Sequence, residues 1–462
     1  MAVMTAAVPA ASADAAATKA GAGLTPGKPE FIADTSCFKP LQFKGKPFFV
    51  LGNWDARNET NFCALNPFLH GAGMNAFVMH VNCLDDTVHR RDLAACRWFR
   101  DNHPDIAIIV KLHAQFILKE VEPKKYKELS QDEIAARRDK FLDTLKELKS
   151  YGNILGYTLD ELENKLNPTL PEWRRANADR VKDLTDAEAL AVYMEDATLW
   201  VRKAIKEAHP EALYMPVQAW WTTYDKSSQL YDVLMPNEYP VAGKTEEYFY
   251  VAKDAQKAAL ATKKFNKPCF IYCPPGFNVL GRRWKSRNFT REEIRYFWFT
   301  PISSGAMGIM GWRQKRTDPQ FAAEVIYPVM NEVSSLVPWF LGDNCDKNVS
   351  CDRAGDFTLH KVRKVSRMVD KEDEDYIPRY VRTVSWILRR NPADGSWLLL
   401  ACNNTNSEQE CSFTFDKEVA TTYALDIYTF KTHQNPNRGL RVKFKPYDVK
   451  VFLMPDAARQ PE

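Results

Sequence analysis

Two acidic segments dominate what this chain could do chemically. The run Asn153–Asn164, NILGYTLDELEN, is an apolar strand pattern ending on adjacent carboxylates, Asp160 and Glu161. Further along, MPNEYP places Glu238 and Tyr239 just past a second apolar run. Two carboxyl groups across a cleft are what acid/base cleavage of a glycosidic bond needs: one protonates the leaving oxygen, and the other attacks or activates water. Successive strand side chains point to opposite faces, so Asp160 and Glu161 cannot both aim at one ligand unless the chain has already turned into a loop. Glu161 is the expected general acid, with its pKa raised by partial burial, and Glu238 the expected partner, as nucleophile or as base for water. Asp160 would orient Glu161 or hold a substrate hydroxyl. This chemistry calls for no cofactor and no metal.

Such residues must be held by a scaffold, and from Phe48 onward the pattern supplies one. Short β-rich runs alternate with longer amphipathic stretches: FFVLG from Phe48, NAFVMHV from Asn75, IAIIVKLH from Ile106, ILGYTLD from Ile154, ALYMPVQAW from Ala212, DVLMP from Asp232, PCFIYC from Pro268 and AMGIMGW from Ala306. Between them, Ser130 with Glu133, Thr185 with Glu188 and Thr290 with Glu293 have capping-box spacing, and Asp318 before Pro319 is a helix start. Eight strands alternating with helices predict an α/β fold, a (β/α)8 TIM barrel over residues 36–340. A doubly wound open sheet competes, but no Gly-rich fingerprint follows the first strand. Beyond Phe340 the helical periodicity gives way to alternating, turn-rich segments, which predict a C-terminal antiparallel β-sandwich over 341–462. The stretch Val369–Tyr376, VDKEDEDY, reads as a charged hairpin tip.

A barrel of this kind gathers its chemistry at the C-terminal ends of the strands. Strand one ends in Asn53, Trp54 and Asp55, a set suited to a sugar whose hydroxyls need amide and carboxylate partners and whose C–H face stacks on an indole. Strand two presents His80, strand three His113, strand four Asp160 and Glu161, strand five Gln218 and Trp220, strand six Glu238 and Tyr239, and strand eight Trp312. Strand seven ends in Cys273, Pro274 and Pro275, with no acid. Glu293 is accounted for as a helix cap.

The strand-four GYTLDE, the strand-six NEYP and the late GAMGIMGW resemble retaining-type (β/α)8 glycoside hydrolases of the large β-glycosidase clan, over roughly Phe48 to Trp312. The resemblance implies an acid/base glutamate ending strand four, the position of Glu161, and a carbohydrate substrate. It also implies a nucleophilic glutamate ending strand seven, which this sequence lacks; Glu238 from strand six would have to substitute. Two other readings stay open. A metal-dependent barrel hydrolase would use His80, His113 and Asp160, and a non-catalytic carbohydrate-binding barrel would keep Trp54, Trp220 and Trp312.

Composition bounds the rest. With 462 residues and 45% hydrophobic content the chain has room for a large core. Its 63 basic residues against 59 acidic ones give a net charge of +4, which offers no nucleic-acid footprint. No apolar run approaches the length of a membrane span. Residues 1–35, rich in Ala, Gly, Pro and Thr, are expected to be disordered. Within them, Ala6–Ala15 has the small-residue spacing of a signal-peptidase site, without a preceding basic or apolar region. Read as the remnant of an export signal it implies a periplasmic or extracellular protein; a plain linker is the competing reading. Of ten cysteines, Cys345 with Cys351 and Cys402 with Cys411 are placed to pair. Oligomeric state is not legible.

Overall fold

The computed structural model describes residues 31–32, 34–56, 71–83, 85–113, 130–159, 161–219, 223–240, 244–276, 287–312, 318–363, 376–434, 436 and 439–457. All eight expected β-runs form one parallel ring. Strand one is Val50–Ala56, strand two Ala76–Asn82, strand three Ala107–His113 and strand four Ile154–Thr158. Strand five comes in two pieces, Leu213–Tyr214 and Val217–Gln218, strand six is Met235–Pro236, and strand eight is Gly308–Gly311. Strands eight, one, two, three, four and the first piece of five form a continuous six-stranded parallel sheet. The second piece of strand five pairs with strand six. Single parallel bridges close the ring through the seventh run, Leu234 to Phe270 and Asn237 to Cys273 on one side, Tyr272 to Ile309 and Pro275 to Trp312 on the other. The result is a TIM barrel.

Local chemistry explains why these segments form these elements. Ser130, Thr185 and Thr290 each accept from the backbone N–H three residues on and receive the glutamate's reply, so three capping boxes start the helices Gln131–Lys149, Asp186–Ala208 and Arg291–Ser303. Asp318 caps the turn that Pro319 opens. The barrel is tight where strands approach: a Cβ at Gly52 or Gly156 would sit 2.2 Å from the Ala76 carbonyl oxygen or 2.3 Å from that of Leu213.

Alternation sorts the strand residues into two faces. On strand two, Phe77 packs on Phe99 and Met79 contacts Cys96, both on the helix Asp86–Asn102. Their neighbours Val78 and His80 therefore face the barrel axis, as do Lys111 and Thr158, which lie in register with His80 on the next two strands.

From Asp343 the chain is antiparallel. A six-stranded sheet containing Val384–Arg390, Trp397–Asn403 and Val449–Met454 and a three-stranded sheet built on Val349–Cys351, Gln409–Phe415 and Leu440–Phe444 enclose a second apolar core around Trp386, Leu399 and Phe413. The strands Phe357–Arg363 and Tyr376–Arg382 pair as a hairpin; the acidic stretch expected at its tip lies, apart from Tyr376, outside the described residues. Barrel and sheets are not loosely tethered. Ile387, Leu398, Leu400 and Val451 belong to the same buried cluster as the barrel core, and the Ser303 and Ser385 hydroxyls meet at 2.6 Å. Thr35, near the start of the described residues, is buried in a network in which its hydroxyl donates to Asp346 at 2.7 Å and accepts from Arg389 at 2.5 Å. Every described cysteine is a free thiol, and neither anticipated pairing is bridged.

Candidate active site

Strand four ends at Thr158, and two residues past Leu159 the backbone turns left-handed: Glu161 has φ 27° and ψ 65°. A non-glycine residue held there is strained, and such residues concentrate where side-chain direction matters. The turn answers the alternation problem posed by adjacent acids, since Glu161 no longer follows the pleat. Its carboxylate reaches across the rim and accepts 2.7 Å from the Asn237 amide nitrogen, past strand six. The other oxygen accepts 2.6 Å from Asn164, in the helix Leu162–Leu166 that Glu161 begins. A carboxylate only accepts, so both amides must turn nitrogen towards it, and the two donors fix the plane of the group.

Asn237 extends the arrangement, its amide nitrogen also lying 3.0 Å from the Tyr239 hydroxyl. From there an aromatic wall runs around the mouth. Tyr239 lies 6.1 Å from Trp312 between ring centres, Trp312 lies 4.6 Å from Trp54, and the Lys111 ammonium sits 5.6 Å over the Trp54 ring. Strands one, three, four, six and eight thus contribute to one continuous set. Trp54 is only 1% exposed, so it supports Trp312 and leaves Tyr239, half-buried, as the more open face. Lys111 and Asn237 were not among the expected residues. The signal for Lys111 was present as a lone charge near the end of an otherwise apolar strand, IAIIVKLH; for Asn237 it was its place beside Glu238.

Among the described residues, Glu238, Gln218 and Asn53 lie apart from this set. Glu238 follows Asn237 directly, and alternation sends it to the far side of strand six. There its carboxyl accepts 3.1 Å from the Tyr239 N–H and lies among Lys253 and Asp254 of the helix Phe249–Lys264 and Tyr272 of the seventh run. Part of Glu238 remains accessible, yet burial of the carboxyl pushes its pKa from 4.5 up to about 7, opposed by the Tyr239 N–H and by Lys253. Asp254, fully enclosed, is raised well above the usual carboxylate range by burial and then by Glu238, although Tyr224 donates to it at 2.8 Å. Gln218 has no exposed surface, and its amide nitrogen lies 2.5 Å from the Ser227 hydroxyl, in a buried group with Thr223 and Glu163. Asn53 is 6% exposed and shares strand parity with Phe49, which packs on Phe340 of the helix Tyr327–Phe340. His80 faces the axis beside Lys111. Asp160 and Trp220, and the side chains of Asp55 and His113, lie outside the described residues. Glu293 is the helix cap expected of it, and also accepts from Tyr248 at 2.6 Å.

No family model and no curated protein matches the chain. Solved structures do. One described as a glycoside hydrolase superposes with a TM-score of 0.54 at 12% identity, covering 92% of this chain and 97% of its own. An α-amylase from Geobacillus thermoleovorans in complex with acarbose gives a TM-score of 0.48 at 11% identity, over 88% and 97% of the two chains. A β-L-arabinopyranosidase of glycoside hydrolase family 27 from Geobacillus stearothermophilus, in complex with arabinose, gives 0.46 at 10% identity, over 92% and 98%. The first of these likenesses bears on the fold alone: a TIM barrel followed by antiparallel sheets. Among the described residues, no helix is long and apolar enough to cross a membrane.

Proposed function

We propose that this protein is a glycoside hydrolase acting on a carbohydrate, with Glu161 as its general acid. One observation carries the reading. A strained backbone at the end of strand four delivers the Glu161 carboxyl to the barrel's C-terminal rim, where Asn237 and Asn164 fix it beside Tyr239 and Trp312. A positioned acid beside an aromatic face is what protonation of a glycosidic oxygen on a stacked sugar requires.

Glu238 faces Lys253 and Asp254, which favours Asp160 or Asp55, ending strands four and one, as the partner. Carboxyls about 5 Å apart would act with retention, and those about 6.5–9.5 Å apart with inversion. The deciding experiment measures Glu161→Gln, Asp160→Asn, Asp55→Asn and Glu238→Gln on aryl glycosides and natural glycans. Glu161→Gln should lose about 10²–10⁴-fold in kcat, as should one of the two aspartate variants, with azide rescue marking a nucleophile. Unchanged turnover in Glu161→Gln would remove the proposal's central group. A loss in Glu238→Gln equal to that in Glu161→Gln would return Glu238 to the partner role.

The turned-away Glu238 also favours a second reading, a carbohydrate-binding barrel without turnover. Glycan binding by wild type, with no cleavage of any ligand bound, would establish that reading in place of the first.

A further inference from the structure

The geometry points to a divalent-cation site of zinc type in the C-terminal sheets, held by Cys351, Asp352 and Cys411. Its residues lie where the strand Val349–Cys351 leaves its ladder with Gln409–Phe415. Cys351 stands opposite Phe413, so Cys411, two residues further along, is its diagonal neighbour on the same face. Both thiols are buried, at 6% and 1% exposed. Asp352 starts the turn after the strand and is exposed, with its carboxylate drawn back by the Ser412 N–H at 2.9 Å, so that the same oxygen lies 3.9 Å from the Cys351 sulfur. One ligand atom from each of the three residues falls within 4.8 Å of the others.

Two chemistries compete for a thiol pair in contact, and the ladder discriminates between them. Diagonal partners in an antiparallel pair have Cα atoms about 7–8 Å apart, whereas a disulfide needs them within about 7 Å. A metal bridge has no such difficulty, because two sulfurs each about 2.3 Å from a tetrahedral zinc ion lie roughly 3.8 Å from one another. The donor set also suits that ion: two soft thiolates and a carboxylate, with the exposed side left open to water as the fourth ligand. Two thiolates, one carboxylate and a dication sum to one negative charge. Arg382, which interacts with Cys351 and lies 3.7 Å over the Trp386 ring, is placed to balance it.

The test uses the full chain, reduced and stripped by chelator, then titrated with Co²⁺ and afterwards with Zn²⁺. Wild type should develop a thiolate-to-cobalt charge-transfer band, saturating at one ion per chain and bleached by Zn²⁺. Cys351→Ser and Cys411→Ser should lose the band, while Cys37→Ser, an exposed thiol elsewhere, keeps it. Asp352→Asn alters only an exposed side chain and so tests the site even if the buried cysteine variants fail to fold; it should weaken Zn²⁺ by at least about tenfold. No band in wild type, a band that survives Cys351→Ser, or undiminished Zn²⁺ affinity in Asp352→Asn would overturn the assignment. So would a Cys351–Cys411 disulfide found by mass spectrometry in metal-free protein isolated without reductant.

Discussion

Asn237 and Glu238 are neighbours in the chain and belong to different environments. Asn237 faces the barrel mouth, where it joins Glu161 to Tyr239 and the aromatic wall. Glu238 faces the layer between strand six and the helix Phe249–Lys264, where its carboxyl shares a low-dielectric space with Asp254, Lys253, Tyr224 and Tyr272. Both regions hold acids supported by hydrogen bonds, and a perturbed carboxyl pKa would conventionally point to the second as the functional one. The difference teaches that burial alone perturbs a carboxyl wherever it lies, whereas orientation towards an opening is a separate requirement. Glu161 is held by two amide donors at the strand ends; Glu238 has the raised pKa and lies beside Lys253 and Asp254.

The sharpest way to break this comparison is to neutralise each acid and read activity and stability together. Glu161→Gln should remove about 10²–10⁴ of the turnover with little change in melting temperature, since an amide can still accept from Asn237 or Asn164.

Glu238→Gln should do the reverse, sparing turnover and altering how stability depends on pH. The folded protein holds the Glu238 proton up to about 7, against 4.5 ordinarily, so between those values the folded state binds more protons than the unfolded. The contribution of the neutral carboxyl is therefore complete below about 4.5 and is lost as pH rises towards and past 7, a fall of at most about 3 kcal/mol. Denaturant melts across that range should show the fall in wild type and a flatter profile in Glu238→Gln. Identical profiles would show that the carboxyl is not held neutral by the fold.

Two smaller effects sharpen the picture of the mouth. Asn237→Ala removes the amide that links Glu161 to Tyr239 and should lower kcat by roughly 10–100-fold through misplacement of the acid, with KM changed less. Trp312→Ala should mainly raise KM, by roughly threefold to tenfold for a stacked sugar, the equivalent of about 0.5–1.5 kcal/mol. Steady-state kinetics on one cleaved glycoside separates the two, and an unchanged KM in Trp312→Ala would remove that ring from the binding surface.

Much of the scaffold was legible beforehand because its rules are local. The eight β-runs, the three capping boxes and the switch to alternating strands after Phe340 all appear where hydrophobic period and cap chemistry place them. Gln218 shows where that reasoning stops. It ends a strand as expected, yet the strand is broken after Tyr214, and the piece that resumes at Val217 carries the amide into the buried group around Ser227. Lys111 shows the same limit: a charge within an apolar strand reads as an interruption until the barrel turns it inward beside Trp54.

By itself the sequence determined the period of each element, the caps that start the helices and the presence of an acid at the end of strand four, since each depends on residues within a turn or two of one another. Only the tertiary structure decided that Asn237 rather than Glu238 meets Glu161, and that Cys351 touches Cys411. Period-two alternation says that neighbours point apart without saying which points inward. That choice belongs to the packing of each strand against its neighbours and its helix, a contact between residues far apart in the chain.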